Sequence, residues 1–319
     1  MKGTVDMIME IVGAAPDAPF KAWCRNVHSQ CGEDGIIEQL LKLAGLPKGY
    51  FIEFGAWDGR HLSNCAKLAD EGWSGCFIEG NPERFADLEK SYADRPEIKA
   101  VNALVGTKGN NALSAILRRV DAPKTPTVLS IDIDGNDYHV WAALEGYHPL
   151  LCIIEFNPTI PTHVLYVQDD EAALNRGASL TALFRLGQQK GYRLVAATEW
   201  NAFFMPEALC QQHHIATYTP EQVKDRRLEA ALFHGFDGTM LVAGHRKLVW
   251  QGISYGPEDL QILPAELRSY ADRVRTEQSS SQPTQRALRE FRRLRKAASR
   301  GVRQALGRAF GRGGDRGRG

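Results

Sequence analysis

Three aspartates, Asp132, Asp134 and Asp137, stand within six residues of the stretch SIDIDGNDYHVW. If the apolar run that carries them, TVLSID (127–132), continues as a strand, Asp132 and Asp134 project from one side about 6 Å apart. Two carboxylates at that separation repel by about 3 kcal/mol at an effective dielectric of 20. Something positive should compensate: a divalent metal, a cationic sulfonium or amine of a cofactor, or a proton retained through a raised pKa. Glu155 and Asn157, at the end of the next apolar run, add oxygen ligands beside the pair. Plain turn chemistry accounts for the same residues, since Asp is an ordinary turn former, and Asn136 or Asp137 suits the N-cap of a helix carrying Val140, Trp141 and Leu144. His139, one turn into that helix, and His163, after NPTIP, can each take a proton, with a surface or core role open to both.

A glycine turn lies upstream in FIEFGAWDG, where Glu53, Gly55 and Asp58 follow the apolar run YFIEF (50–54). Its GAWDG lacks the G-x-G-x-x-G spacing of a dinucleotide fingerprint, which demotes nicotinamide binding. Glu79 closes the run GCFIE (75–79), some 20 residues after the turn. In doubly wound sheets an acid there reaches ribose hydroxyls, because one carboxylate accepts from both; its alternative is to cap the helix that starts near Pro82. Cys210, His213 and His214 are spaced like half a zinc site, but no second close pair follows.

These groups need a scaffold that brings strand ends together. Strand-like runs at 50–54, 75–79, 98–103, 127–132, 150–156, 192–198 and 201–206 alternate with helical patterns. Leu62, Ala66 and Ala69 recur at helical spacing before Gly72, a second helix runs from Pro82 to about Tyr92, and Leu180, Leu183, Phe184 and Leu186 lead to a stop at Gly191. The pattern predicts an α/β fold with a doubly wound, mostly parallel seven-stranded sheet. Only Glu199 and Trp200 separate the last two runs, enough for a hairpin and too little for a parallel crossover, so the last strand should be antiparallel. Residues 1–49 are expected as a helical lead-in, with Ile36, Ile37, Leu40, Leu41 and Ala44 on one helix face. Residues 50–206 form the domain itself, 207–275 a helical or irregular extension packed on it with one strand-like piece at 238–244, and 276–319 a linker and basic tail.

With 319 residues and 43% hydrophobic content, the chain can bury one large core. The first 20 residues are broken by Asp6, Glu10 and Asp17, unlike a secretory signal, and six scattered cysteines read as reduced thiols; both point to a cytoplasmic protein. The net charge of +1 hides an asymmetry, because 12 Lys or Arg from Arg286 onward stand against Glu290 and Asp315, leaving the body acidic. The segment 286–310 carries Leu288, Phe291, Leu294, Ala298 and Val302 at helical spacing between arginines, which suits an anionic membrane surface and would place the protein peripherally at the inner face; a solvated tail is the alternative. Nucleic acid is a weaker partner, as stacking aromatics are nearly absent from the tail.

FIEFGAWDG, LSN (62–64), the GW-x-G-x-x-IE-x-NP pattern ending at Asn81 and Pro82, and SIDIDGNDY with IIEFNP together resemble the FkbM-type branch of the class I S-adenosylmethionine-dependent methyltransferases. SQCGEDG (29–35) and KGYRLVAATEWNAFFM extend the resemblance over roughly 28–206. It implies that Glu53, Gly55 and Asp58 frame the methionine part of S-adenosyl-L-methionine, that Glu79 holds the ribose, that Asn102 flanks the adenine, and that Asp132 faces the methyl group and the acceptor. It further implies methylation of a sugar hydroxyl on a glycan or of a small secondary metabolite. A base would be drawn from Asp132, Asp134 or His139, or a Mg or Mn ion held by Asp132, Asp134 and Glu155. Where the family usually has Asp-x-Glu-Gly this chain reads Asp132-Ile133-Asp134-Gly135, and 207–319 match nothing in it. Two other readings compete: a sugar-nucleotide oxidoreductase, opposed by the missing glycine fingerprint, and a non-catalytic cofactor-binding or scaffolding protein that keeps the fold.

Overall fold

The computed structural model describes residues 18–171 and 173–269. The N-terminal 17 residues, the linker (276–285) and the basic tail expected to bind membranes (286–319) lie outside the described residues. Chain contacts divide it into two compact units, one comprising residues up to Ala231 with 243–245, the other 232–242 with the residues from Arg246 onward. The first unit therefore runs on past Pro206, where the sequence pattern ends the domain.

Seven strands build the sheet of the first unit: β1 (Tyr50–Phe54), β2 (Ser74–Glu79), β3 (Ile98–Asn102), β4 (Val128–Ile131), β5 (Leu151–Glu155), β6 (Tyr192–Ala197) and β7 (Asn201–Pro206). Their order is β3-β2-β1-β4-β5-β7-β6. β1 pairs in parallel with β2 and β4, and β2–β3 and β4–β5 are also parallel. β7 runs antiparallel between β5 and β6, as its short link to β6, residues 198–200, requires. The strands read as continuous apolar runs because helices cover both faces: Phe51, Ile52, Phe54, Leu129, Ile131, Ile153 and Ile154 are all fully buried. Trp141 packs on Phe204 and Tyr192, and Gly187 leaves room for that contact, since a Cβ there would come within 3.0–3.2 Å of the Phe204 and Trp141 rings.

Helices α1 (Glu33–Leu43), α2 (Ala66–Asp70), α3 (Pro82–Ser91), α4 (Leu113–Arg119), α5 (Asp137–Ala143) and α6 (Leu180–Gln189) form the crossovers and flanks. α3 starts as the sequence signals, with Pro82 at its first position and the Asn81 side chain accepting from the Glu83 and Arg84 amides. α2 is shorter than the apolar spacing predicts. Leu62 sits at a positive φ of 56° and is 46% exposed, because the three residues after it turn inward to bond Glu53. β4 also stops one residue early, so Asp132 and Asp134 are loop residues rather than neighbours on a strand face.

After β7, the first unit adds α7 (Glu207–His213) and α8 (Pro220–Val223). The region expected to be helical or irregular then contains two hairpins, β8 (Ala230–His234) with β9 (Met240–Gly244) and β10 (Lys247–Leu248) with β11 (Ile253–Ser254). The β9 piece matches the predicted strand at 238–244; its partner β8 and the two-residue strands have no counterpart in the sequence pattern. Within the second unit Gln261 clamps Met240, accepting from its N–H and donating to its carbonyl, each at 2.9 Å.

Candidate functional site

The strand order reverses between β1 and β4, where crossovers leave the sheet to opposite sides and open a crevice beyond the carboxyl ends. The predicted site residues gather on that edge because each follows a neighbouring strand: Gly55 after β1, Glu79 ending β2, Asp132 after β4 and Glu155 ending β5. Gly55 has φ +74°, and a Cβ on it would lie 1.6 Å from the Asp132 carbonyl oxygen. Only glycine permits the turn after β1 to press against the acidic loop after β4. The Ala56 N–H donates to the Ile78 carbonyl, which ties the same turn to β2.

Glu79 is buried at the centre of this turn, accepting from the Trp57 N–H (2.8 Å) through one oxygen and from the Asn81 N–H (2.6 Å) through the other. Each oxygen retains a lone pair, so the carboxylate can still accept from two hydroxyls. Asn102 donates from Nδ2 to the Glu79 carbonyl (2.9 Å), which leaves its Oδ1 to accept. Leu104, 71% exposed, packs against Gly80, and Trp57 lies beneath the Arg84 guanidinium at 4.0 Å while remaining 42% exposed. An apolar shelf on either side of a hydroxyl-accepting carboxylate fits a nucleoside.

Glu53 and Asp58 stand on this edge with their side chains engaged in the turn itself. Glu53 is buried and accepts from Ser63 Oγ (2.6 Å), Asn64 N–H (2.9 Å) and Cys65 N–H (3.1 Å). Burial pushes its carboxyl up, and these three bonds pull against that shift. Asp58 accepts from the Arg60 and His61 amides at 2.9 and 2.7 Å, closing a local turn.

Asp132, Asp134 and Glu155 bring one carboxylate oxygen each within 4.8 Å of one another. The loop converges because Asp137, buried at the start of α5, accepts from the Ile133 and Gly135 amides at 2.9 Å each, and because Asp134 takes a left-handed φ of 59°. Asp137 thus ties down the loop before the helix, while Asn136 holds the N-cap position without a side-chain capping bond to the helix. Asp132 and Glu155 are only partly open to solvent, and their carboxyls are held well above the usual range. Burial is the first cause for both. For Asp132 the next is repulsion from Asp137 and then Asp134; for Glu155 it is repulsion from Asp132, to which it also hydrogen-bonds. The largest charge effects on these two acids all come from other carboxylates. The donor set of three oxygens suits a hard divalent cation, and the same deficit of positive charge suits a cationic cofactor.

His139, on α5, turns one ring nitrogen toward the loop after β5. Its Nε2 lies 2.7 Å from the Gln168 carbonyl oxygen, where it secures the long loop between β5 and α6. Gln168, which carries no signal in the sequence, is the buried keystone of that loop. Its Nε2 donates to Asn136 Oδ1 and the Leu174 carbonyl, and its Oε1 accepts from the Arg176 and Gly177 amides, all at 2.8–2.9 Å. The loop after β5 is therefore bonded directly to the loop that carries Asp132 and Asp134. Lys224 is a second residue missed by sequence reading. Fully buried, it donates to the Pro158 carbonyl (2.8 Å) and to Glu229 (2.6 Å), supporting the start of the same loop. The candidate zinc ligand Cys210 is buried, with Sγ 3.9 Å from the Met205 carbonyl.

No protein-family model matches the chain, and no curated protein matches it. Among solved structures, it is similar to the N-terminal domain of EvdMO1 with SAH bound, at 10% identity over 59% of this chain and 82% of that chain, with a TM-score of 0.36. It is also similar to a putative caffeoyl-CoA O-methyltransferase from Staphylococcus aureus, at 13% identity over 54% of this chain and 81% of that one, with a TM-score of 0.37. The CMeT domain of the citrinin polyketide synthase matches at 13% identity over 54% and 50% of the two chains, with a TM-score of 0.35. Identities and superposition scores this low do not place the chain in a family.

Proposed function

We propose that this chain is an S-adenosyl-L-methionine-dependent methyltransferase acting on a hydroxyl of a glycan or of a small secondary metabolite. The observation that carries the reading is the carboxyl edge at the strand-order reversal. There a glycine turn, a ribose-competent Glu79 between apolar faces, and a carboxylate cluster lacking positive charge occupy successive strands. When bound, the cofactor supplies an electrophilic methyl group on a cationic sulfonium.

The chain's own residues supply position and proton transfer. Glu79 accepts the ribose hydroxyls, Asn102 and Leu104 border the base, and Gly55 lets the backbone approach the amino-acid end. Asp132 projects from the loop nearest that turn. A carboxyl held above its ordinary range is better matched to taking a proton from an acceptor hydroxyl near neutral pH. Glu155 shares that role through its bond to Asp132. A Mg or Mn ion on Asp132, Asp134 and Glu155 is the other way to offset the charge, and it would lower the pKa of a bound hydroxyl.

The test is transfer of a labelled methyl group from S-adenosyl-L-methionine to a panel of sugars and small hydroxylated acceptors, with and without EDTA. Asp132→Asn should lower turnover while cofactor affinity is kept. Full turnover by that variant would remove Asp132 from the chemistry, and full activity in EDTA would remove the metal.

A further inference from the structure

We propose that Asp170 is a positioning residue for the cofactor, a clasp across the crevice that carries Glu79 and Gly55, and that it paces exchange of the cofactor and its demethylated product. The strand order sets the distance to be bridged. β2 and β1 lie between β3 and β4, so the ends of β3 and β4 stand three strand spacings apart, about 14 Å. Beyond the sheet one side chain closes that gap. Asp170, on the loop after β5, accepts from Thr107 Oγ1 (3.0 Å) through one carboxylate oxygen and from Asn136 Nδ2 (3.2 Å) through the other. Thr107 belongs to the loop after β3, and Asn136 to the acidic loop after β4. The two loops therefore lean together across the ends of β2 and β1. Gln168 fixes the same loop through Asn136 Oδ1 (2.8 Å), which leaves Asn136 Nδ2 for Asp170.

The remaining contacts complete a ring. The loop that carries Thr107 is anchored to the end of β2, because the Ala103 N–H (3.1 Å) and Asn102 Nδ2 (2.9 Å) both donate to the Glu79 carbonyl. Leu104 seals the same junction, since a Cβ on Gly80 would lie 2.5 Å from its Cδ2. The Glu79 carboxylate holds the Trp57 amide after β1, and Gly55 in that turn presses on the Asp132 carbonyl. The loop from Asp132 to Asn136, held by Asp137, brings the ring back to Asp170. Glu79 and Asp132 thus stand on one closed circuit, and a cofactor with its ribose on Glu79 and its sulfur beside Asp132 lies across it. Asp170 is exposed and both its bonds go to side chains, so this link can part at low net cost while the backbone bonds of the ring stay made. The clasp presupposes the S-adenosyl-L-methionine reading given above.

Dissociation of radiolabelled S-adenosyl-L-homocysteine from the full chain, chased with excess unlabelled ligand, tests the clasp. This ligand lacks the sulfonium charge, so loss of a carboxylate does not act on it as loss of a counter-ion. Asp170→Ala and Thr107→Val should each raise the dissociation rate about three- to tenfold, and the double variant should match Asp170→Ala, because the two changes remove a shared bond. Asp169→Ala removes the adjacent acid and should leave the rate unchanged, and melting temperatures without ligand should stay the same in every variant. An unchanged rate in Asp170→Ala, additive effects in the double variant, or equal acceleration in Asp169→Ala would overturn the proposal. Absence of binding by the wild type would instead overturn the cofactor reading, and the bridge is therefore also read without ligand by hydrogen exchange. Asp170→Ala should speed exchange of the amides at 103–108 and Asp169→Ala should not; equal protection in wild type and Asp170→Ala would overturn the clasp whatever the ligand.

Discussion

Replacing Asp132 with Asn should stabilise the protein at alkaline pH and leave it unchanged at pH 4. In the wild type, burial first and then the neighbouring carboxylates Asp137 and Asp134 raise the Asp132 acid from 3.8 to about 8. Between those values the folded protein holds a proton that the unfolded chain has released. The free energy of unfolding therefore falls as pH rises through the window, by up to about 1.4 kcal/mol per pH unit for one proton. The whole shift sets an upper bound of roughly 6 kcal/mol. Asp132 reaches solvent in part and shares a hydrogen bond with Glu155, so a loss of about 1–3 kcal/mol between pH 4 and pH 8 is the size to expect. The amide that replaces the acid in Asp132→Asn has no proton to lose and relieves the repulsion on Glu155, so the variant's stability curve should lie above the wild type at pH 8. Urea unfolding in EDTA across pH 4–9, read as the difference between the two proteins, reports Asp132 together with the carboxyls coupled to it and cancels the groups that titrate elsewhere. A variant as stable as the wild type at pH 8, or less so, would refute the account of an uncompensated acid cluster. Millimolar Mg or Mn should flatten the wild-type curve if the three carboxylates take a metal.

Gly55→Ala should cost at least ~2 kcal/mol in thermal unfolding, since it combines a left-handed φ with a Cβ driven into the Asp132 carbonyl. An unchanged melting temperature would show that the turn is not pressed on the acidic loop. Lys224→Met leaves Glu229 without its cation and the Pro158 carbonyl without a donor, so unfolding free energy should drop by about 3–5 kcal/mol. Adding Glu229→Gln should recover part of that loss; no recovery would mean that the ion pair is not the cause. Gln168→Leu should alter the acceptor KM and the pH profile of turnover more than cofactor affinity, because the bonds it removes join the two loops beside the cluster. Equal effects on acceptor and cofactor would reduce Gln168 to a packing residue.

The sheet was legible because parallel strands buried on both faces must be apolar throughout. Tyr50–Phe54 and Asn201–Pro206 fall where their apolar runs place them, and the short link around Glu199 and Trp200 dictates the antiparallel partner. Long-range bonding explains most of what was not. Glu53 pulls Ser63, Asn64 and Cys65 inward and unwinds the first turn expected of α2, a contact that local spacing does not encode. Asp137 and the left-handed Asp134 reshape the acidic loop in the same way, so the cluster forms from a loop and a strand end rather than from one strand face. The carboxylates themselves were visible as a run of Asp with Glu155 on the following strand. Gln168 and Lys224 were not, since a lone amide in a long loop and a lone lysine after a short helix have no periodicity to betray them. β10 and β11 are two residues each, too short to show alternation.

Isothermal titration of the demethylated product, S-adenosyl-L-homocysteine, into the wild type and Glu79→Ala tests the central claim most directly. The account predicts saturable one-site binding by the wild type, weakened in Glu79→Ala by about 1.5–3 kcal/mol, the size of a hydrogen bond to a charged group, with NADH giving no heat of binding. Absence of binding by folded wild-type protein, or equal affinity in the two proteins, would contradict it.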